Sequence, residues 1–190
     1  MLILMIRHGR TDWNASRRIQ GRTDIPLSAT GRAEQTLRSV PEDFADAPAF
    51  SSPLVRATET ARLMGIADPI IDDRLIEMNF GDWEGGTHAE LKAEKPQEMI
   101  RLEAMGLDMR PPNGETPREV AARLTDFLGH RIADRCLLFC HKGVIRAAFS
   151  AALDWDMTGP LPFHVDWNAG QLFRFANGRL ALERENVPLT

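Results

Sequence analysis

The feature that most constrains this chain is an unbroken apolar run, Leu2 to Ile6, which stops directly at Arg7 and His8. A strand with one wet face alternates apolar and polar residues. A continuous run is buried on both faces, as in the interior of a parallel sheet. Leu137-Leu138-Phe139-Cys140 repeats the pattern and stops at a second histidine, His141. Ala49-Phe50-Ser51 reads as a shorter strand. The run from Met1 to Ile6 is too short for a signal h-region and lacks a preceding basic segment, so a buried strand is expected there rather than a leader.

Helical patterns separate these strands. Ser28 is expected to cap a helix with Ala33, Leu37 and Val40 on one face. Ser52-Pro53 predicts an N-cap followed by proline at the first helical position, in a helix that Gly65 closes. Thr116-Pro117-Arg118-Glu119 is a capping box. The helix it opens sets Val120, Leu124, Phe127, Leu128 and Ile132 on one side. An alanine-rich helix from about Val144 to Leu153 follows His141. Near the end, Leu172–Phe175 and Leu180–Leu182 flank Asn177-Gly178, a hairpin signal. The alternation predicts an α/β layer fold with a mostly parallel sheet and an antiparallel edge hairpin at the C-terminal end. A length of 190 residues suits one domain over 1–190. Residues 94–112 are the least patterned; they read as a surface helix and loop, with a lid over a site as the alternative.

Charge narrows the partners. With 23 Lys and Arg against 27 Asp and Glu, the net charge is −4, which gives no general pull toward nucleic acid or anionic membranes. Any phosphate must be held by a few converging arginines. No stretch approaches a membrane span. Two cysteines, Cys136 and Cys140, make neither a disulfide framework nor a zinc site, and a reducing, cytoplasmic setting fits them. HExxH is absent, as are the clustered aspartates and histidines of a two-metal phosphatase, so neither a metal nor another cofactor is called for. The oligomeric state leaves no mark in the sequence.

In a parallel α/β sheet, ligands bind beyond the C-terminal ends of the strands. His8 and His141, two of the five histidines, stand at such ends. Arg7 adjoins His8, and Arg56 sits in the first turn of the helix after the Ala49–Ser51 strand. Free amides at a helix start, its dipole and a guanidinium fork together suit a phosphate dianion.

Arg7-His8-Gly9-Arg10-Thr11-Asp12-Trp13-Asn14 resembles the signature of the histidine phosphatase superfamily, the phosphoglycerate mutase-like proteins. The resemblance runs on through Gln20-Gly21-Arg22-Thr23-Asp24 to Ser28 and Gly31, then Ser51 to Ala57, Glu77 to Gly85, Gly114-Glu115-Thr116 and Cys140-His141-Lys142-Gly143. It implies a three-layer phosphoglycerate mutase-like fold with helices on both faces of the sheet. It also implies that His8 attacks phosphorus and becomes phosphohistidine, while Arg7, Arg56 and His141 surround the phosphoryl group. Asn14, Gln20 and Gly21 are the implied substrate contacts. Glu77 is the implied proton donor to the leaving oxygen and then the base that activates water. The partner is then a small phosphomonoester. The chain is compact, and Phe80-Gly81-Asp82-Trp83-Glu84-Gly85 is more similar to the phosphatase branch, which includes α-ribazole phosphatases, than to the longer mutases. Mutase-type transfer and a non-catalytic phosphoprotein-binding module are the alternatives.

Two features cut across this reading. Cys140-His141-Lys142-Gly143-Val144-Ile145-Arg146 also has the form C-x-x-G-x-x-R, similar to the phosphate loop of cysteine-dependent phosphatases, in which a thiolate attacks. Lys142 stands where histidine phosphatases commonly have glycine, so this backbone position is not expected to need a positive φ.

Overall fold

The computed structural model describes residues 1–130 and 133–190. Six strands form one sheet in the order β3-β2-β4-β1-β5-β6. These are β1 (Leu2–Arg7), β2 (Ala49–Ser51), β3 (Ile70–Ile71), β4 (Arg135–Cys140), β5 (Gly170–Ala176) and β6 (Arg179–Val187). β3, β2, β4 and β1 run parallel, and β5 and β6 complete one side antiparallel. The hairpin between them turns through Asn177 and Gly178 at φ 52° and 75°, the pair of positive φ angles that an Asn-Gly two-residue turn supplies.

Period-two alternation within the apolar runs builds two cores. Ile3 and Met5 of β1, with Cys136, Leu138 and Cys140 of β4, face one side. Leu4 and Ile6, with Leu137 and Phe139, face the other. On the first side the sheet packs against α6 (Pro117–Gly129) and α7 (Lys142–Leu153); on the second it packs against α3 (Val55–Leu63) and a 3₁₀ turn bearing Phe44. The result is three layers with helices on both faces. Thr116 caps α6 with the reciprocal Glu119 contact. The α6 stripe of Val120, Leu124, Phe127 and Leu128 is at most 1% exposed, and burying each such side chain contributes about 1.5–3 kcal/mol. Ile132 lies outside the described residues.

Three expectations change. Ser28 does cap α2 (Ala29–Gln35) through the Gly31 amide, but the helix ends after two turns. Leu37 is therefore 83% exposed, and Gly31 and Gln35 are the buried positions. Gly31 packs so closely on the Arg10 carbonyl that a Cβ would overlap it. The helix after β2 begins at Val55, with Leu54 as N-cap and no side-chain cap; the Ser52 hydroxyl is committed elsewhere. α7 starts at Lys142, two residues early. Lys142 has no positive φ, as expected.

Residues 72–116 make an excursion without strands, between β3 and α6. It holds α4 (His88–Glu94) and α5 (Pro96–Glu103). Met99 and Leu102 of α5 pack with Trp83 and with Ile19 from the loop after α1 (Asp12–Ala15) in a third, smaller core. The segment 94–112 thus forms a wall of the cavity described next.

Candidate active site

Three parallel strands end together. β4 lies between β1 and β2, so His141 emerges between His8 and Ser52. The His8 amide donates to the Cys140 carbonyl (3.0 Å) and the Ser52 amide to the Phe139 carbonyl (3.0 Å), extending the ladder one residue past each strand. The His8 and His141 rings lie with centroids 5.2 Å apart.

The His8 Nδ1 is 2.7 Å from the Gly9 carbonyl. A carbonyl only accepts, so Nδ1 carries the proton and Nε2 presents a lone pair. Burial, then the nearby Arg7 and Arg56 charges, push His8 well below the usual imidazole range. It is neutral at pH 7. Gly9 is held in turn by the Thr60 hydroxyl (2.9 Å), which donates to the Arg56 carbonyl (2.6 Å).

Arg56 is completely buried. Its two terminal nitrogens donate to the carbonyls of Thr23 (2.9 Å) and Gly21 (2.7 Å). Gly21 sits at φ 52°, and a Cβ there would strike the Glu84 carboxylate. Desolvation lowers the Arg56 and Arg7 guanidinium groups from their ordinary values, with the Glu77 charge opposing the shift in both. The Arg7 guanidinium lies 6.0 Å from the Trp167 ring centroid.

His141 is also fully buried, and it does not line the cavity. Its Nε2 is 2.7 Å from the Ser52 hydroxyl, which already accepts the Leu54 amide (3.3 Å). Ser52 can therefore donate to Nε2, leaving the proton of His141 on Nδ1. Burial, then Arg56, keep this ring neutral as well.

Glu77 is 7% exposed. Its two oxygens accept the Met78 amide (2.8 Å) and the Gly143 amide in the first turn of α7 (3.1 Å). Desolvation nevertheless wins, and the carboxyl pKa is raised above the ordinary 4.5. Gly143 permits this approach, since a Cβ on it would stand 2.3 Å from a Glu77 oxygen. The neighbouring carboxylates do other work. Glu84 accepts the amides of Arg22, Thr23 and Phe80 and the Thr23 hydroxyl, so it clamps the loop that seats Arg56. Glu90 completes the capping box of α4.

Arg7, His8, Asn14, Gln20, Gly21, Arg56 and Glu77 all line one cavity of about 580 Å³, whose far side is apolar, with Ile19, Phe80, Trp83, Met99, Leu102 and Met109. Asn14 and Gln20 are tied to Thr11 at 3.0 and 2.9 Å. Among the described residues, four buried side-chain nitrogens lack a hydrogen-bond partner: Arg7 Nε, Arg56 Nε, His141 Nδ1 and Trp155 Nε1. Three of them surround His8. Buried donors are almost always paired, and these three nitrogens can donate to an acceptor-rich anion.

The thiolate alternative fails on geometry. Cys140 is fully buried in the core with Met78 and Val144. Desolvation raises its thiol far above the usual range, against thiolate formation. Arg146 stacks on the Trp155 ring (4.8 Å).

A family model described as the histidine phosphatase superfamily (branch 1) matches residues 3–188. The chain belongs to the histidine phosphatase superfamily. Within that superfamily it is 34% identical over 163 residues to the 2,3-bisphosphoglycerate-dependent phosphoglycerate mutase 2 of Gloeobacter violaceus, covering 77% of this chain and 73% of that protein. It is 32% identical over 166 residues to the glucosyl-3-phosphoglycerate phosphatase of Mycobacterium tuberculosis, covering 80% and 74%. The solved structure of a mycobacterial glucosyl-3-phosphoglycerate phosphatase with VO3 superposes with a TM-score of 0.82 at 27% identity, over 98% of this chain and 99% of that one. These superfamily members are enzymes, mutases and phosphatases alike, and phosphoryl transfer is common to them. Among the described residues, no helix is long and apolar enough to cross a membrane.

Ser52, Thr60, Glu84 and Gly143 are the functional neighbours that sequence reasoning missed or misassigned. Ser52 was open to discovery only through its strand-end position beside the histidines, since its local pattern is that of a cap.

Proposed function

We propose that this single-domain protein is a phosphomonoesterase that works without a metal, through a phosphohistidine on His8, on a small phosphorylated metabolite. One observation carries this reading: a neutral imidazole with its free lone pair on Nε2, ringed by three buried nitrogens that have no partner. A cytoplasmic, reducing setting suits the two buried thiols. The mycobacterial relative was solved with VO3, a phosphate-like oxyanion, which is in keeping with phosphate chemistry on this fold.

The chemistry runs in two balanced steps. His8 Nε2 forms a bond to phosphorus as the phosphorus–oxygen bond to the leaving group breaks. Arg7, Arg56 and the His141 Nδ1–H donate to the equatorial oxygens, where charge is spread. The leaving oxygen takes the proton of the Glu77 carboxyl, whose pKa burial raises above the ordinary 4.5, the direction a proton donor needs. Water then attacks the phosphohistidine, Glu77 takes one of its protons, and the phosphorus–nitrogen bond breaks to return His8 with release of phosphate. Asn14, Gln20 and Gly21 shape the phosphate end of the cavity. Water as final acceptor distinguishes this from mutase-type transfer and from binding alone.

Phosphate release across a panel of phosphoglycerates, sugar phosphates, nucleotides and α-ribazole phosphate tests the reading. His8→Ala is expected to abolish turnover and the trapped phosphoenzyme, while Cys140→Ser retains activity per folded molecule. Activity surviving in His8→Ala and lost in Cys140→Ser would overturn the assignment.

A further inference from the structure

The proposed reaction uses only part of the cavity's charge. The chain as a whole carries −4, yet the cavity is lined by six arginine and lysine side chains and two carboxylates. One of those carboxylates, Glu103, is bonded to Lys92 at 2.7 Å. Arg7 and Arg56 belong to the phosphoryl end. Arg18 donates to the Gly85 carbonyl (3.0 Å).

Arg17 is exposed to solvent, which leaves Lys142 and Arg146. They are one turn apart on α7, so they share a face, and both line the cavity. Neither has a hydrogen bond or an ion pair among the described residues; each is instead backed by an aromatic ring. The Lys142 Nζ lies 5.1 Å from the Trp167 centroid, and the Arg146 guanidinium 4.8 Å from that of Trp155. Trp167 is also the ring that Arg7 approaches, so the Lys142 charge is a short molecule's length from the phosphoryl end. Aromatic backing fixes a cation without neutralising it. Desolvation lowers both groups from their ordinary values, and the Arg7 and Arg146 charges lower Lys142 further. The Glu77 charge opposes the shift of Lys142, but its oxygens are bonded to the Met78 and Gly143 amides; two cations with no carboxylate in contact inside a cavity are an unmet demand for negative charge.

We infer that Lys142 and Arg146 form a second anion subsite, and that the preferred substrate is a phosphomonoester whose leaving half carries its own anionic group. This rests on the phosphatase reading for the position of the phosphoryl group. Lys142 is then a specificity-determining residue.

Matched ligands test it: phenyl phosphate against its 3-carboxy and 4-carboxy derivatives. The pairs differ by one carboxylate and keep an aryl body for the wall of Ile19, Phe80 and Trp83. Calorimetric titration of His8→Ala protein is expected to show at least tenfold tighter binding of the better carboxy isomer than of phenyl phosphate. Lys142→Glu in that background is expected to reverse the preference. This variant puts a carboxylate in the first turn of α7, which favours the helix, so a changed ratio does not report unfolding. Equal binding of all three ligands overturns the subsite, and so does a preference that survives Lys142→Glu. Phosphate release by His8→Ala itself would instead overturn the nucleophile assignment. The subsite would then be read from the ratio of kcat/KM values in the otherwise native protein.

Discussion

Replacing Gly143 with alanine isolates the proton donor from the rest of the site. The new Cβ would stand 2.3 Å from one Glu77 oxygen and 3.2 Å from its carboxyl carbon. Ordinary contact needs about 3.4 Å or more, so the carboxyl group must retreat by roughly 1 Å, and it loses its fit to the Gly143 amide. A misplacement of about 1 Å costs on the order of 10²-fold in rate, or about 2.7 kcal/mol of barrier. The backbone itself gains, because alanine is better than glycine in a helix by about 1 kcal/mol. The variant is expected to fold, with catalysis lost selectively. An alkyl phosphate needs its leaving oxygen protonated, so its kcat/KM should fall about 10²-fold. 4-Nitrophenyl phosphate has a stable leaving anion, and its kcat/KM should fall less than about threefold. A burst of nitrophenol should then precede slow turnover, since water activation still needs Glu77. Equal losses on both substrates would refute the assignment of Glu77 as proton donor, and no loss on either would refute the geometry.

The pH profile of the alkyl phosphate should be bell-shaped. Its acid limb falls below pH 6.5 because His8 is depressed and must be neutral; its basic limb lies above the ordinary 4.5 of glutamate because Glu77 is raised and must be protonated. The ratio to 4-nitrophenyl phosphate cancels the His8 ionisation that both substrates share, and a ratio independent of pH would count against Glu77. Glu84→Gln should lower stability by about 1–3 kcal/mol, since it sets an amide N–H₂ against backbone donors. It should also reduce kcat through the loop that seats Arg56; thermal unfolding beside initial rates checks both, and an unchanged melting temperature would refute the clamp. Activity should be unaffected by EDTA, and loss on chelation with recovery on adding a divalent cation would refute a metal-independent reaction.

What was legible in the sequence is what local pattern and strand position decide. The apolar runs of β1 and β4 announce burial on both faces, and their ends place His8 and His141 without further information. The Thr116 capping box and the Asn177-Gly178 turn are likewise local chemistry, and both form as read. The errors share one cause, which is contact across distance. Ser52 has the pattern of an N-cap, yet its hydroxyl is taken by His141, 89 residues away. Leu37 fits a helical period, but α2 stops short of it. Glu84 looks like a surface carboxylate until the 20–24 loop folds over it. The family resemblance singled out Glu77 from its acidic neighbours; periodicity alone did not distinguish the three.

The strandless excursion between β3 and α6 has a consequence for how such an enzyme diversifies. His8, Arg56 and His141 hang from the parallel strands and the helix that follows one of them, whereas the excursion supplies most of the apolar wall. Most of the wall can be lengthened, shortened or resurfaced without shifting the strand ends from which those three groups project. Attack and recognition are thereby separable under selection, and also at the bench. Exchanging residues 94–112 between relatives is a route to new leaving-group preferences on an inherited reaction centre.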